Sequence, residues 1–154
     1  MLKITRTDSV NADFRELVQL LDGELRIRDG AEHGFYAQFN KIDTIREVVV
    51  AYENEIAVGC GAFKEYEHNI AEIKRMFVRP ESRNQGIAGK ILSELEAWAN
   101  ELNFAECVLE TGLKQPEAVH LYQKSGYEII PNYGQYAGVE NSVCMRKRFL
   151  ITPA

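Results

Sequence analysis

The stretch AEIKRMFVRPESRNQGIAGK, residues 71–90, contains a strand, a turn and the start of a helix. Its first half carries a β-rich apolar run that ends at Pro80, because proline interrupts strand pairing. A polar, glycine-bearing turn at 83–89 follows, and apolar residues then recur at helical spacing as far as Leu102. A strand that delivers free backbone N–H groups to a helix N-terminus is the arrangement that binds phosphate.

Size and charge limit the functions open to the chain. Its 154 residues, 45% of them hydrophobic, predict one globular domain over residues 1–154. The net charge of −5 disfavours nucleic acid or an anionic membrane as a partner. The three cysteines form no Cys-x-x-Cys pair, which suits reduced thiols in a cytosol. Without a signal peptide or an apolar run of roughly 18 to 20 residues, the chain is expected to be soluble and cytoplasmic.

The N-terminal segments predict a strand, a helix and a weakly patterned stretch. Residues 2–5 alternate as a short strand, and Asn11 or Asp13 can cap a helix with one apolar face. Gly23 is predicted to end this helix. From residue 24 to residue 44 the pattern weakens, and a short helix interrupted by loop is predicted there.

Two strands follow at 47–52 and 56–66, and the tight polar connection between them indicates an antiparallel hairpin. Gly59 and Gly61 inside the second strand predict a close backbone approach or a bulge. The stretch at 71–90 then supplies a third antiparallel strand and its helix.

The last third of the chain predicts three more strands and one helix. A buried strand at 105–111 precedes a helix that begins at Pro116 and closes at Gly126. Strands at 127–130 and 142–149 follow, separated by a loop rich in aromatic residues and glycines, which is typical of a site loop. The order β, α, α, β, β, β, α, β, α, β, β predicts an α/β layer fold with a mostly antiparallel sheet.

Two common nucleotide motifs do not fit the glycines. A Walker loop would need glycine and a hydroxyl where the chain has Asn84 and Ile91. A dinucleotide fingerprint starting at Gly59 would need its third glycine where Lys64 stands, and no helix follows. Neither class of nucleotide-binding fold is therefore indicated.

The turn at 83–88, RNQGIA, matches the pattern Gln/Arg-x-x-Gly-x-Gly/Ala between a strand and an amphipathic helix. This resembles the acetyl-CoA-binding motif of the GNAT superfamily of N-acetyltransferases. The preceding strand looks like that family's central strand, and LY at 121–122 with GY at 126–127 looks like its Leu-Tyr-x-x-x-Gly-Phe/Tyr signature. The resemblance covers residues 45–149. It implies a mostly antiparallel mixed sheet of about seven strands, helices on both faces and a splayed parallel pair that forms the cofactor cleft.

The resemblance implies acetyl-CoA as co-substrate and no metal. Backbone groups at the strand end would hold the pantetheine arm and the thioester carbonyl, and N–H groups of the turn would bind the pyrophosphate. Gly86 admits the phosphates because it has no Cβ, although Gly86 and Ala88 could instead serve close helix packing. The predicted cofactor-binding residues are Met76, Phe77, Val78, Arg83, Asn84, Gln85, Gly86, Ile87, Ala88, Gly89, Lys90, Gln115 and Tyr122. Gln115 stands where the family often has an asparagine that contacts the pantetheine arm or the surroundings of the tyrosine. Glutamine keeps the amide group but places it on a longer side chain.

Acetyl transfer from a thioester to an amine needs a deprotonated amine, a polarised carbonyl and a proton for the departing thiolate. Tyr122 stands at the family's tyrosine position and is the predicted general acid; the alternative is a packing tyrosine or one that orients the cofactor sulfur. Glu72 is the candidate base. It lies fourteen positions before Gly86, the spacing at which the histone acetyltransferase branch carries its glutamate. A structural carboxylate paired with Lys74 or another basic neighbour is the alternative.

Three further features bear on the chemistry. Glu72, Lys74 and Met76 share one face of an extended strand unless a bulge intervenes. Glu110, near the end of the following strand, borders the same cleft and is the rival base. The cysteines could form an acyl-enzyme, but no histidine is placed beside them, and buried structural thiols are predicted.

The acceptor is predicted to be the primary amine of a small molecule, amino acid or polyamine like, that attacks directly in a ternary complex. Its pocket is expected from residues 24–44 and the loop at 131–141, and arginine there would suit an acceptor carboxylate or phosphonate. The candidate substrate-binding residues are Arg26, Arg28, Tyr36, Arg75, Tyr133 and Tyr136. The alternatives are a protein lysine or N-terminal acceptor and a non-catalytic acyl-CoA-binding domain; a homodimer is compatible with the sequence.

Overall fold

The structure is a computed structural model that describes residues 1–29, 45–113 and 115–149. The strands in these ranges are β1 (Leu2–Thr7), β2 (Glu47–Glu53), β3 (Ile56–Glu67), β4 (Ile70–Val78), β5 (Glu106–Gly112), β6 (Glu128–Ile130) and β7 (Ser142–Arg148). The α-helices are α1 (Ala12–Asp29), α2 (Ile87–Glu101) and α3 (Pro116–Lys124), and short 3-10 helices lie at Pro80–Ser82 and Gly134–Tyr136. None of the helices in these ranges has the length and apolar character needed to cross a lipid bilayer.

One parallel pair interrupts an otherwise antiparallel sheet of seven described strands. The strands lie in the order β1-β2-β3-β4-β5-β7-β6, and β4 and β5 are the parallel neighbours. Their pairing runs from Ile70 opposite Glu106 to Glu72 opposite Val108 and stops there, so the two strands separate beyond Glu72. The predicted α/β fold with a mixed seven-stranded sheet and a splayed parallel pair is confirmed.

A bulge in β4 lies directly after Lys74. Arg75 and Met76 together oppose the single residue Gly61 of β3, and Arg75 has a left-handed φ of 59°. The extra residue shifts the alternation of the strand. Glu72 and Lys74 therefore face the α1 side of the sheet, whereas Met76 packs against the core on the opposite side. The sequence predicts that the three residues share one strand face unless a bulge intervenes, and the structure contains that bulge.

Helices cover both faces of the sheet, as predicted. On one face α1 buries Phe14, Leu17 and Leu21 against apolar residues of β2 and β3. On the other face α2 buries Ile91 and Leu95, and α3 packs into the same core. The cleft between β4 and β5 is consequently bordered by α1 on one side and by α2 and α3 on the other.

The close approach of α2 to β3 requires glycine in that strand. A Cβ on Gly61 would lie 2.5 Å from Met76 Sδ and 2.9 Å from Ile91 Cγ2. A Cβ on Gly59 would lie 2.9 Å from Ile91 Cδ1. The predicted close backbone approach at these two glycines is confirmed, and it seats α2 directly over the bulged part of β4.

The prediction that Gly23 ends α1 is wrong. The helix begins after Asn11, whose Oδ1 accepts a hydrogen bond from the backbone N–H of Phe14 at 2.9 Å, and it continues to Asp29. A glycine inside a helix costs only about 1 kcal/mol relative to alanine, which the buried apolar face of α1 offsets. The rest of the predicted second helix falls within residues 30–44, outside the described residues.

Candidate active site

Two adjoining cavities open where β4 and β5 separate. The carboxylate cavity, named for Glu72 and Glu110 in its wall, has a volume of about 140 Å³. The glycine cavity, lined by Gly86 and Gly89 at the start of α2, has a volume of about 530 Å³. Tyr122 lies in the wall of both cavities. A molecule that spans the two cavities would therefore pass this side chain.

The turn between β4 and α2 presents backbone N–H groups to the glycine cavity. Asn84 and Gly86 have left-handed φ values of 64° and 79°, a region that asparagine and glycine tolerate best. An added Cβ at Gly86 would meet no atom within 4 Å, so the backbone conformation, rather than crowding, requires glycine. The first N–H groups of α2 have no acceptor within the helix, and the helix dipole favours an anion beside them. This geometry fits a phosphate group.

Most of the predicted cofactor residues border the glycine cavity. They are Met76, Phe77, Val78, Arg83, Asn84, Gly86, Ile87, Ala88, Gly89, Gln115 and Tyr122. Gln85 and Lys90 are exposed and lie outside its wall; Lys90 lines a neighbouring groove between α2 and α3. The strand end, the turn and α3 therefore surround one space, and the binding of the cofactor there stays a prediction.

Arg83 connects the turn to α1. Its Nη2 lies 2.7 Å from Glu24 Oε2, and its Nε donates a hydrogen bond to the carbonyl oxygen of Val78 at 2.8 Å. Its guanidinium also lies over the ring of Phe77, 5.6 Å from the centroid. The charge of Arg83, one of the predicted cofactor-binding residues, is thus paired with a carboxylate at the cavity edge.

Tyr122 is buried at the junction of the two cavities. Its ring packs edge to face against Tyr127, with 5.8 Å between the centroids. Burial, and to a lesser extent the charge of Glu110, raises the pKa of the Tyr122 hydroxyl above its usual value of 10. The phenol therefore holds its proton at neutral pH and is a proton donor rather than a base.

Glu72 is a carboxylate held inside the protein. It is only 2% exposed, and Tyr133 donates a hydrogen bond to its Oε2 at 2.7 Å. Lys74 Nζ lies 3.9 Å from Oε1, so the ion pair expected as the alternative to a base role is also present. Burial, and next the charge of Glu72, raises the pKa of Tyr133, which keeps that hydroxyl a donor. In the structure the Tyr133 hydroxyl contacts Glu72, and its predicted contact with substrate stays a prediction.

The wall of the carboxylate cavity carries two acidic and two basic side chains. Glu110 accepts a hydrogen bond from Ser142 Oγ at 2.6 Å. Arg75 Nη1 lies 2.7 Å from Asp22 Oδ1 on α1. Lys74 is buried, and burial lowers its pKa although Glu72 opposes that shift. From the sequence, Lys74 is expected on the same strand face as Glu72 and as its partner; the structure adds that both side chains line one cavity.

A protein-family model shows to which family the chain belongs. The model described as "Acetyltransferase (GNAT) family" matches residues 14–127. This chain belongs to the GNAT family. The match includes most of α1, the bulged strand β4, the turn that lines the glycine cavity, and α3 with Tyr122.

Curated relatives share part of this GNAT chain. The IAA acetyltransferase of Azospirillum brasilense is 34% identical over 100 residues, which cover 64% of this chain and 65% of that protein. The uncharacterized N-acetyltransferase YjgM of Escherichia coli strain K12 is 36% identical over 84 residues, covering 53% of this chain and 50% of that protein. The GNAT chain thus spans between half and two thirds of the length of these two relatives.

Solved structures share the GNAT fold over nearly the whole chain. A protein of Klebsiella pneumoniae subsp. pneumoniae MGH 78578, proposed to be an acyl-CoA N-acyltransferase, is 29% identical with a TM-score of 0.82, over 97% of this chain and 99% of that one. The PaiA N-acetyltransferase of Thermoplasma acidophilum, solved with coenzyme A, is 19% identical with a TM-score of 0.70, over 97% and 99% of the two chains. At 19% identity the second likeness shows the fold alone.

The expected acceptor residues of this GNAT chain are only partly brought together. Arg75 and Tyr136 line the carboxylate cavity. Arg26 is exposed and borders neither cavity. The side chain of Arg28 and the whole of Tyr36 lie outside the described residues. Of these predicted residues, Arg75 on β4 and Tyr136 in the aromatic loop border the cavity, and the acceptor-binding roles stay predictions.

The cysteines of this GNAT chain are buried thiols, as predicted. Burial raises the pKa of Cys60 and Cys107 to about 12 and that of Cys144 to about 11. Thiols with such pKa values are poor nucleophiles at neutral pH, which disfavours an acyl-cysteine route. Within the three described ranges, no group of three or more His, Cys, Asp or Glu side chains is arranged to hold a metal ion.

Proposed function

We propose that the protein transfers an acetyl group from acetyl-CoA to the primary amine of a small molecule. One observation carries this proposal: a cavity with a phosphate-type turn and a cavity with a buried carboxylate meet at Tyr122. Acetyl-CoA, when bound, supplies a thioester-activated acetyl group. Family membership supports this donor, and the left-handed turn at Gly86 fits its pyrophosphate.

The residues of the glycine cavity would bind the donor. Backbone N–H groups at the start of α2 would donate to the pyrophosphate. Beyond Glu72, β4 has no partner on β5, so the backbone edge at Met76 faces the cleft and can hydrogen-bond an extended pantetheine arm. A backbone N–H there would polarise the thioester carbonyl as negative charge develops on its oxygen.

Glu72 and Tyr122 would move the protons. Glu72 accepts a proton from the acceptor ammonium, and the neutral amine then forms a C–N bond to the acetyl carbon as the C–S bond breaks. The nitrogen loses a second proton as it becomes an amide, and this proton returns to the phenolate that Tyr122 leaves after protonating the sulfur. Tyr122 donates its proton to the departing sulfur, since its raised pKa keeps the phenol protonated. The hydrogen bond from Tyr133 holds the Glu72 carboxylate in place during this exchange.

A second candidate for the base is Glu110. It lies in the wall of the same cavity and is positioned by Ser142. A non-catalytic acyl-CoA-binding domain and a protein amine acceptor are the alternative functions. The retention of a buried carboxylate and a protonated tyrosine at the cavity junction favours an enzyme.

Thiol release from acetyl-CoA, measured over a panel of small amines and lysine-containing peptides, tests the proposal. We expect turnover with at least one small amine and little or none with the peptides. Tight binding of coenzyme A without turnover on any amine would instead support a binding domain. Turnover on peptides alone would assign a protein acceptor.

The buried, unpaired thiols support a reducing compartment, and we propose the cytoplasm. Fractionation of the expressing cells would test this. The single domain and the homodimer stay predictions.

A further inference from the structure

We infer that the acceptor carries a carboxylate beside its primary amine, and that Lys74 in the wall of the carboxylate cavity binds that carboxylate. This inference rests on the proposed function and names its substrate class: a zwitterion of the α-amino acid type rather than a polyamine. Lys74 would then determine specificity, while Glu72 and Tyr122 carry the proton transfers.

The charges of the cavity wall favour a zwitterion. Glu72, Glu110, Lys74 and Arg75 line the same cavity of about 140 Å³, and Asp22 of α1 pairs with Arg75 at 2.7 Å. Lys74 is the cation next to Glu72, and an acceptor with a second ammonium group would bring a further positive charge close to it, where like charges repel strongly in a partly buried site. An amine with a neighbouring carboxylate adds no net charge.

The contacts of Glu72 indicate where the amine would approach. Tyr133 occupies Oε2, whereas Oε1 is the oxygen that faces Lys74 Nζ at 3.9 Å. An ammonium group that reaches Oε1 would therefore lie next to the ammonium group of Lys74. A carboxylate on the acceptor, placed against Lys74, removes this conflict. Because the two protein groups are so close, the acceptor's amine and carboxylate must also be close, as they are on one α-carbon.

Proton transfer strengthens the argument. Once Glu72 has taken the proton of the acceptor amine, its negative charge no longer acts on Lys74, and Glu110 is the wall carboxylate whose charge still does. A buried ammonium group is less stable when the negative charge around it decreases. The acceptor carboxylate would replace the neutralised Glu72 at that moment. Lys74 needs such support, because burial already lowers its pKa.

The test compares acceptors that differ only in the carboxylate. Small α-amino acids are each paired with their primary amides, putrescine represents polyamines, and kcat/KM is measured by thiol release. We expect wild type to prefer the acid over its amide by about tenfold or more, the usual effect of one charged hydrogen bond. Lys74→Met should remove most of this preference, and Lys74→Arg should keep most of it. Because the same acid and amide are compared in each variant, the difference between their amine pKa values cancels.

Lys64 offers a matched control. It lies opposite Glu72 in the register of β3 and β4 but does not line the carboxylate cavity. Lys64→Met makes the same chemical change nearby and should leave the acid-to-amide ratio within about twofold of wild type. If Lys74→Met lowers kcat/KM equally for acids and amides, Lys74 acts only through its effect on Glu72. That result would overturn the inference.

Equal wild-type rates for acids and amides, or putrescine as the preferred acceptor, would also overturn the inference while the proposed function stands. If no amine is turned over, the proposed function fails. The inference is then decided by thermal stabilisation of the coenzyme A complex, in which equal shifts from acid and amide would overturn it. If Lys74→Met does not fold, the acid-to-amide ratio of kcat/KM in Lys74→Gln is compared with that of wild type instead.

Discussion

At the scale of single residues, removing the hydroxyl oxygen of Tyr122 distinguishes the packing role of its ring from the chemical role of its hydroxyl. Tyr122→Phe keeps the buried ring and its contact with Tyr127 but removes the proton donor. We expect turnover to fall about tenfold or more, with little change in acetyl-CoA affinity. Since burial raises the Tyr122 pKa above 10, this residue should cause no loss of wild-type activity below about pH 10. Steady-state kinetics and a pH profile of kcat measure both effects.

Tyr127 supplies the matched control for that substitution. It stands five positions further on and lies outside both cavities, and its buried hydroxyl lies beside Glu96 and the Cys107 thiol. Tyr127→Phe should therefore leave turnover unchanged. Unchanged turnover in Tyr122→Phe would end the general-acid role.

The base role of Glu72 predicts a pH-dependent defect. Glu72→Gln keeps an oxygen for the Tyr133 hydroxyl but cannot take a proton. We expect the rate to fall at least about tenfold at neutral pH and to recover at high pH, where the acceptor amine deprotonates without help. Glu110→Gln is the comparison variant. The same profile in Glu110→Gln and a wild-type profile in Glu72→Gln would transfer the role to Glu110.

At the scale of secondary structure, two glycines should respond in opposite ways to the same substitution. Gly61→Ala places a Cβ 2.5 Å from Met76 Sδ and 2.9 Å from Leu95 Cδ1, beneath α2. We expect a loss of about 1–3 kcal/mol in the free energy of unfolding. Gly23→Ala, inside α1 and with no atom within 4 Å of the added Cβ, should gain about 0.4–1 kcal/mol. Urea unfolding measures both changes, and a stabilised Gly61→Ala would contradict the close packing of α2.

The same elements explain what a pattern can and cannot predict. Gly59 and Gly61 predict a close approach because a strand residue without a Cβ leaves space that a neighbouring element can occupy. Gly23 misleads because a helix ends only where neither burial nor side-chain pairing supports it further. Here the Glu24 carboxylate, directly after the glycine, pairs with Arg83, 59 positions away in the chain, and stabilises the helix beyond the glycine.

At the scale of the whole molecule, the meeting of the two cavities predicts the order of events. Both substrates must be bound together if the amine attacks the thioester directly, because the cavities join at Tyr122. We expect initial rates, measured against acetyl-CoA at several amine concentrations, to give intersecting double-reciprocal lines. Parallel lines with an acetylated protein would indicate a covalent intermediate. The raised pKa values of the three buried cysteines disfavour that outcome.

The sequence by itself determined the order of the described strands and of the helices α2 and α3, the glycine turn and the family, because each depends on residues close together in the chain. It also placed Tyr122, Glu72 and Glu110 as candidates, since strand ends and helix starts position side chains locally. Only the tertiary structure decided which groups meet. The bulge after Lys74 separates Met76 from Glu72, and Tyr133 reaches Glu72 across 61 positions of the chain. Such contacts arise from the packing of distant segments, so no local pattern predicts them.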